Sequence, residues 1–95
     1  EYTALTIVSK DYDLVKQLIV KDFNKAISVY KGERGYLPES FDVKNDCDII
    51  MTIVTRLEIH RIKEAVSEID PKAFFYVHSI KEVNGGVIKK KIGYQ

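Results

Sequence analysis

The sequence has little of what marks a secreted, membrane-spanning or nucleic-acid-binding chain. Its one cysteine, Cys47, cannot form an internal disulfide, whereas small secreted domains usually carry several, so a reducing compartment is favoured. The longest apolar stretch, residues 49–54, is interrupted by Thr52 and is far too short to cross a bilayer. Fifteen basic and fourteen acidic residues leave a net charge of +1, which argues against a dedicated nucleic-acid binder.

Length and composition predict a single compact domain over residues 1–95. Ninety-five residues suit one domain, and a content of 45% hydrophobic and 31% charged residues is typical of globular proteins. The chain begins at Glu1 rather than at a methionine and runs almost directly into a strand. We therefore interpret it as a domain excised from a longer protein.

The spacing of apolar residues predicts six elements in the order β-α-β-β-α-β. Strands are indicated by β-branched or alternating stretches at residues 2–9, 26–30, 48–54 and 73–80. Helical spacing covers residues 12–23 and 56–69. The second helix begins at a capping box formed by Thr55 and Glu58, and Pro71 ends it.

This order predicts an α+β, ferredoxin-like fold, a two-layer sandwich with both helices on one face of an antiparallel sheet. Residues 31–45 contain two glycines, one proline and many polar side chains, which predicts a long irregular loop. Long loops in compact domains are usually functional or disordered. Residues 84–86, Asn-Gly-Gly, predict a turn, after which residues 87–92 return as a short extra C-terminal strand.

No group of residues predicts catalysis. Cys47, His60 and His78 match no standard zinc spacing, and Asp46 and Asp48 beside the cysteine are typical of a polar strand start. The sequence carries no signature of a nucleophile paired with a base. We therefore predict no enzyme, no metal site and no cofactor. An RNA-binding role is disfavoured too, because the third strand lacks the aromatic residues that βαββαβ RNA-binding domains use.

Two segments could hold a small anionic ligand. Arg34 suits bidentate contact with phosphate, Gly35 allows close approach of the backbone, and the ring of Tyr36 can stack. The second segment follows the fourth strand and comprises Asn84, Gly85, Gly86 and Lys89. The alternative interpretation is two ordinary turns and a solvated run of charge.

The face of the sheet opposite the helices is a candidate interface. Two helices cover only one side of a four-stranded sheet, and an exposed apolar face usually marks a binding surface. The residues expected there include Val8, Tyr30, Ile50 and Tyr76. We therefore predict a homo-oligomer, a dimer or a trimer, against the alternative of a tolerated, partly polar face.

Several motifs resemble one known family. The run Asp-Pro-Lys-Ala-Phe at residues 70–74, the run Glu-Val-Asn-Gly-Gly at residues 82–86 and the start of the second helix at residues 54–56 resemble the C-terminal soluble domain of YitT-type bacterial membrane proteins. That family has no known function. The resemblance implies a fold like that of the trimeric PII regulatory proteins, and a multi-pass membrane segment before Glu1. It also implies a position at the cytoplasmic face of the bacterial membrane.

The resemblance also implies a role and shows two departures. In PII proteins the segments that correspond to residues 32–45 and 82–91 help to hold nucleotides between subunits. The family usually has Arg-Gly where this chain has Lys25-Ala26, and a short glycine-aromatic hairpin where this chain has the longer run of residues 35–40. Both departures fall where a ligand would lie.

Two functional hypotheses remain open. In the first, the chain is a regulatory or sensory domain that binds a small anionic ligand, such as a nucleotide, at a subunit interface. Arg34 and Lys89 would contact phosphate, and binding would order residues 31–45 and so bias the attached membrane segment. In the second, the chain is an oligomerisation or protein-interaction module without a ligand.

Overall fold

The computed structural model describes residues 2–81 and 84, and it confirms the predicted fold class. The elements follow the order β-α-β-β-α-β. They are β1 (Tyr2–Val8), α1 (Tyr12–Gln17), β2 (Ser28–Leu37), β3 (Ser40–Thr55), α2 (Arg56–Ile69) and β4 (Phe74–Ser79). The four strands form one sheet in the order β2-β3-β1-β4, and all neighbouring strands are antiparallel. The extra strand predicted at residues 87–92 lies outside the described residues.

The core lies between one face of the sheet and the two helices. Residues of β1 alternate strictly between buried and partly exposed, so Leu5 and Ile7 point to the same side. Ile50 is paired with Ile7 and therefore shares that side. The completely buried cluster joins these strand residues to both helices and consists of Leu5, Ile7, Val15, Ile19, Ile50, Val54, Ile62 and Val66. Both helices therefore cover the same face, as predicted.

The first helical segment differs from the prediction in its second half. A regular helix ends at Gln17, and the chain continues as a π-helical turn over Leu18–Asp22. The N–H of Phe23 donates to the carbonyl of Leu18 at 3.1 Å, five residues back, which widens the turn. Asn24 then takes a positive φ of 57° and ends the segment.

The predicted capping box at the start of α2 is present and is extended by a buried lysine. The backbone N–H of Thr55 donates to Glu58 Oε1 at 2.9 Å. Lys25, only 5% exposed, forms an ion pair with the same carboxylate. Partial burial acts to raise the pKa of Glu58, but the hydrogen bonds from Lys25 and Thr55 outweigh it and lower that pKa. Lys25, which stands where the family usually has Arg-Gly and this chain has Lys25-Ala26, thus has a structural partner in Glu58.

The prediction of an irregular loop at residues 31–45 is wrong, because these residues belong to a long β-hairpin. The pairing of β2 with β3 continues to Leu37 and Ser40, whereas β1 pairs with β3 only as far as Ile50. Residues 31–45, here called the arm, therefore extend past the end of β1. The molecule is correspondingly elongated, at 45 × 25 × 18 Å. No disorder-to-order change of this segment is needed to give it structure.

The Asp-Pro-Lys run fixes the turn between α2 and β4. Asp70 is 2% exposed, and its Oδ2 accepts a 2.6 Å hydrogen bond from the hydroxyl of Ser9. Its Oδ1 accepts the backbone N–H of Lys72 at 3.0 Å. The hydroxyl of Ser9 in turn accepts the N–H of Asp11 at 2.9 Å. One buried carboxylate thus joins the turn after β1 to the turn before β4.

Candidate functional site

The open face of the sheet, on the side away from the helices, carries apolar residues from all four strands. Direct partners in neighbouring strands lie on the same face, so the registers define rows across the sheet. Tyr30 lies opposite Ile49, and Val8 lies opposite Phe74. A second row contains Ser28, Met51, Thr6 and Tyr76.

Three of the four predicted interface residues lie on this open face, and one does not. Tyr30 is 56% exposed and Tyr76 is 48% exposed, while Val8 is partly buried. The prediction for Ile50 is wrong, because Ile50 is completely buried between the sheet and the helices. The third strand is apolar on both faces, so its sequence does not show which set of side chains faces the core.

Of the aromatic pair on the edge strand of the open face, sequence reasoning singled out Tyr76 but not Phe74. Phe74 is 54% exposed, and its ring meets that of Tyr76 edge-on, with 4.9 Å between centroids and 75° between planes. Because the two residues are two positions apart on one strand, both rings lie on the same face of the sheet. The signal was available, since β4 reads Phe-Phe-Tyr-Val-His-Ser and period-two alternation aligns its first and third residues.

The arm extends the apolar row of β3 beyond the body of the domain. Phe41 and Val43 are 67% and 60% exposed, and they occupy the same alternate positions of β3 as Ile49 and Met51. Leu37, at the tip, is also largely exposed. A hairpin that projects past the sheet has no core of its own to cover these side chains. The arm therefore adds exposed apolar side chains to those of the open face, with Asn45 and the buried Cys47 between the two groups along β3.

The ligand-binding residues predicted in the arm have local structural roles. Gly35 has a φ of 119° beside an irregularity in the strand pairing, and a Cβ there would lie 2.3 Å from the carbonyl oxygen of Val43. The hydroxyl of Tyr36 donates to Glu33 at 2.5 Å, and this bond raises the pKa of Tyr36. Its ring packs against Phe41 with centroids 5.5 Å apart.

Arg34 lies within electrostatic reach of the turn after β1. The pKa of Lys10 is raised, chiefly by its hydrogen bond to Asp11, while the positive charge of Arg34 acts in the opposite direction.

Arg34 and the end of β4, the strand that precedes the second predicted segment, lie at opposite ends of the sheet within one chain. Arg34 pairs with Asn45, at the arm end of β3, on an edge strand. The other edge strand, β4, ends opposite Thr3, which pairs with Val54. Along β3, nine residues separate Asn45 from Val54, a distance of about 30 Å. Asn84 is exposed beyond the end of β4, and Gly85, Gly86 and Lys89 lie outside the described residues.

A polar cleft lies at the base of the arm, against α1. Asp48 accepts hydrogen bonds from Lys16 at 2.5 Å and from Lys31 at 2.9 Å, and these bonds lower the pKa of Asp48. Lys16 also lies 3.4 Å from Asp13. The two lysines therefore already have carboxylate partners, and the network ties the arm to the first helix.

Within residues 2–81 and 84, the structure contains no group of three His, Cys, Asp or Glu side chains placed to hold a metal ion. Cys47 is buried, and its thiol lies 3.5 Å from the carbonyl oxygen of Ser9. His60 pairs with Glu64 on the surface of α2, far along the chain from that thiol. In the same described part of the chain, no helix has the length and apolar character to span a membrane.

Comparison with known proteins identifies the family. Residues 25–85 match the model of a family described as an uncharacterized protein conserved in bacteria, DUF2179. The chain belongs to the DUF2179 family. The match includes β2, the arm, β3, α2 and β4, so it covers the open face on three of its four strands. Neither this family nor the relative below indicates an enzymatic activity.

A curated relative of this DUF2179 domain is a membrane protein. The chain is 29% identical over 80 residues to the UPF0750 membrane protein YpjC of Bacillus subtilis (strain 168). The match covers 84% of this chain and 26% of the relative, so the chain spans about a quarter of that protein's length. The resemblance to the YitT-type membrane proteins is thereby confirmed.

Two solved structures share the fold. One is a DUF2179 protein from Eubacterium ventriosum, with a TM-score of 0.64 and 18% identity over 81% of this chain and 97% of that one. The other is a DUF3240 family protein from Shewanella baltica OS155, with a TM-score of 0.67 and 11% identity over 88% and 94% of the two chains. At these identities the similarity shows the fold alone.

Proposed function

We propose that this DUF2179 domain is a non-enzymatic regulatory module of a bacterial membrane protein, at the cytoplasmic face of the membrane, and that it acts as a homo-oligomer. The observation that carries the proposal is the apolar open face of the sheet, together with the exposed apolar side chains of the arm. A single buried thiol without a disulfide supports the cytoplasmic position, because the cytoplasm keeps thiols reduced.

The chemical character of this surface suits a protein partner. Exposed aromatic residues such as Tyr76 and Phe74 are typical of interface cores. The arm carries three basic and three acidic residues, so it has no net charge to draw it to an anionic bilayer. A second copy of the chain is therefore the occupant that fits best.

Self-association is tested by the mass of the chain in solution. Light scattering on a sizing column should give a defined multiple of 10.9 kDa. Tyr76→Lys on the open face and Phe41→Asp on the arm should each lower that mass, because each buries a charge at the interface. Leu14→Lys is the matched control, since Leu14 is 54% exposed on α1, on the covered side of the sheet. A monomeric wild-type chain, or equal effects in all three variants, would refute the proposal.

A ligand shared between subunits is the second candidate function. It is supported by the separation of about 30 Å between Arg34 and the end of β4 within one chain, since a neighbouring subunit could bring the two segments together. If so, Arg34→Ala should weaken binding of a nucleotide and leave the unfolding temperature unchanged without ligand. Thermal unfolding across a panel of nucleotides measures both quantities, because a ligand at a hundred times its Kd adds about 2.7 kcal/mol of stability.

A further inference from the structure

We propose that the groove between the first half of α2 and the edge strand β4 binds a small molecule that carries a phosphate group on a flat ring, of which a nucleotide is one example. This groove is separate from the open face and from the arm, and the inference does not depend on self-association. It places an anion site on residues that sequence reasoning did not single out.

The groove has the size and the lining of a small-ligand site. Its volume is about 320 Å³, and it is lined by Arg56, Ile59, His60, Lys63 and Val77. That volume is at the lower end of the roughly 300–1,000 Å³ that ligand pockets occupy. The lining combines an apolar floor with cationic or basic groups and includes no carboxylate. By contrast, the cleft at the base of the arm is lined by three aspartates and two lysines, so its lining has a net negative charge, which disfavours an anion.

The three basic residues share one side of the helix. Positions 56, 60 and 63 are four and three residues apart, so their side chains follow one another along the same face. Arg56 and Lys63 are separated by seven residues, about 10 Å along the axis. Two cations at that spacing favour a ligand whose negative charge is multiple or spread out. A phosphate ester meets that requirement better than a single carboxylate.

The charges in the groove are available to a ligand. Among the described residues, neither Arg56 nor Lys63 forms a salt bridge, whereas Lys10, Lys16, Lys25 and Lys31 all do. Lys63 lies 5.6 Å above the ring of Phe75, which orients its ammonium group without neutralising it. His60 has a partner in Glu64, at 3.2 Å, one turn further along the helix.

The remaining lining explains the preference for a flat ring. Val77 is 46% exposed, although its strand, β4, lies next to β1 in the sheet that the helices cover. Ile59 is only partly buried against the core. Together they present an apolar floor beside an arginine. A guanidinium group can stack on a flat ring as well as bind phosphate, so Arg56 can contact either part of the ligand.

Titration of the 95-residue chain with three probes tests this site. Adenosine monophosphate should shift the amide NMR signals of Arg56, His60, Lys63 and Val77. Adenosine and inorganic phosphate should each bind at least tenfold more weakly, because each lacks one half of the ligand. Equal binding of phosphate alone would overturn the role of the apolar floor, and shifts confined to the arm would overturn the site.

Two double variants separate a specific site from bulk charge. Arg56→Gln with Lys63→Gln should weaken adenosine monophosphate at least tenfold. Arg61→Gln with Lys72→Gln removes the same charge elsewhere, since Arg61 lies over the ring of Phe23 on another side of α2, and should change affinity less than twofold. Equal losses in both variants would overturn the proposal. Binding to anionic vesicles without binding to the nucleotide, or binding only to an acidic peptide, would overturn it as well.

The oligomeric mass, read in the same samples, keeps this result apart from the proposed assembly. The groove variants should lose the ligand at an unchanged mass. A ligand that binds a monomeric wild-type chain would support the groove and refute the assembly. A stable oligomer that shows no shift with the nucleotide would do the reverse.

Discussion

At the scale of single residues, buried polar side chains carry more of this structure than its apolar composition suggests. Asp70 and Lys25 are both almost fully buried, and each joins two parts of the chain that are distant in sequence. Because a buried charge is costly unless it is hydrogen-bonded, such residues fix geometry as well as stability. The most specific part of the family resemblance, residues 70–74, thus has a structural explanation that requires no ligand.

Replacement of Asp70 tests this explanation. Asp70→Ala leaves the buried hydroxyl of Ser9 and the N–H of Lys72 without their acceptor, which should lower the free energy of unfolding by about 1–3 kcal/mol. Urea denaturation measures the change. Asp42→Ala, at an exposed position of the arm, is the control and should stay within about 0.5 kcal/mol of wild type. Equal stability of the two variants would contradict the role assigned to Asp70.

At the scale of elements, the arm is the feature that distinguishes this domain from a minimal four-stranded sandwich. Its bend depends on Gly35, where the backbone takes a φ of 119° and no side chain has room. Gly32 differs, because a Cβ there would meet only the end of the Ile49 side chain, at 2.9 Å. The two glycines therefore allow a matched comparison within one hairpin.

Gly35→Ala should loosen the arm while the body of the domain stays folded. The strained backbone costs about 1–3 kcal/mol, and this cost should appear as faster amide hydrogen exchange in residues 31–45 with unchanged exchange in α2. Gly32→Ala should have a much smaller effect, because a flexible side chain can yield. Similar exchange in the two variants would show that the positive φ does not determine the arm.

The elements that sequence predicted well are those with local signals. The capping box of α2 depends on two residues three apart, Thr55 and Glu58, and its position was correct. The arm could not be predicted in the same way, because Gly32, Gly35 and Pro38 are typical of loops, and the cross-strand pairing that makes a hairpin here is not visible in the propensities of single residues. Alternation at Phe41 and Val43 was the one local signal that favoured a strand there.

The candidate site was predictable in part for a similar reason. Tyr30 and Tyr76 were placed on the open face from alternation alone, and the structure agrees. The wrong prediction for Ile50 arises because β3 has apolar residues on both faces. In such a strand, an error of one residue in the assumed alternation moves every side chain to the opposite face of the sheet. The basic side of α2 was visible as a spacing of four and three residues. Its groove was not, because Val77 comes from a strand that sequence does not place beside the helix.

At the scale of the whole molecule, three hydrogen-bonded carboxylates couple folding to pH. The pKa values of Asp48, Glu58 and Asp70 are lowered in the folded chain. A group with a lowered folded pKa stabilises the protein fully above its unfolded pKa of about 4, and this contribution is lost as the pH falls through the folded pKa. Stability should therefore be level from about pH 7 to pH 5 and fall steeply below about pH 4.

Circular dichroism during acid titration measures this loss. Asp70→Asn removes one of the three groups, so the variant should be less stable at pH 7 and should lose less stability between pH 5 and pH 2. Glu39→Gln, on the exposed tip of the arm, is the control and should follow the wild-type curve. A wild-type chain whose stability rises on acidification would contradict the assigned direction of all three pKa shifts.

The order of the strands also determines how the domain would respond to force. β1 lies in the middle of the sheet, with an antiparallel neighbour on each side, so tension on Tyr2 along the strand meets two ladders of hydrogen bonds. Those bonds are perpendicular to the strands, and such a pull loads them all together, in shear, rather than one at a time. The domain would then move as a stiff body, and the arm would act as a lever that converts a small rotation at Tyr2 into a larger displacement at its tip.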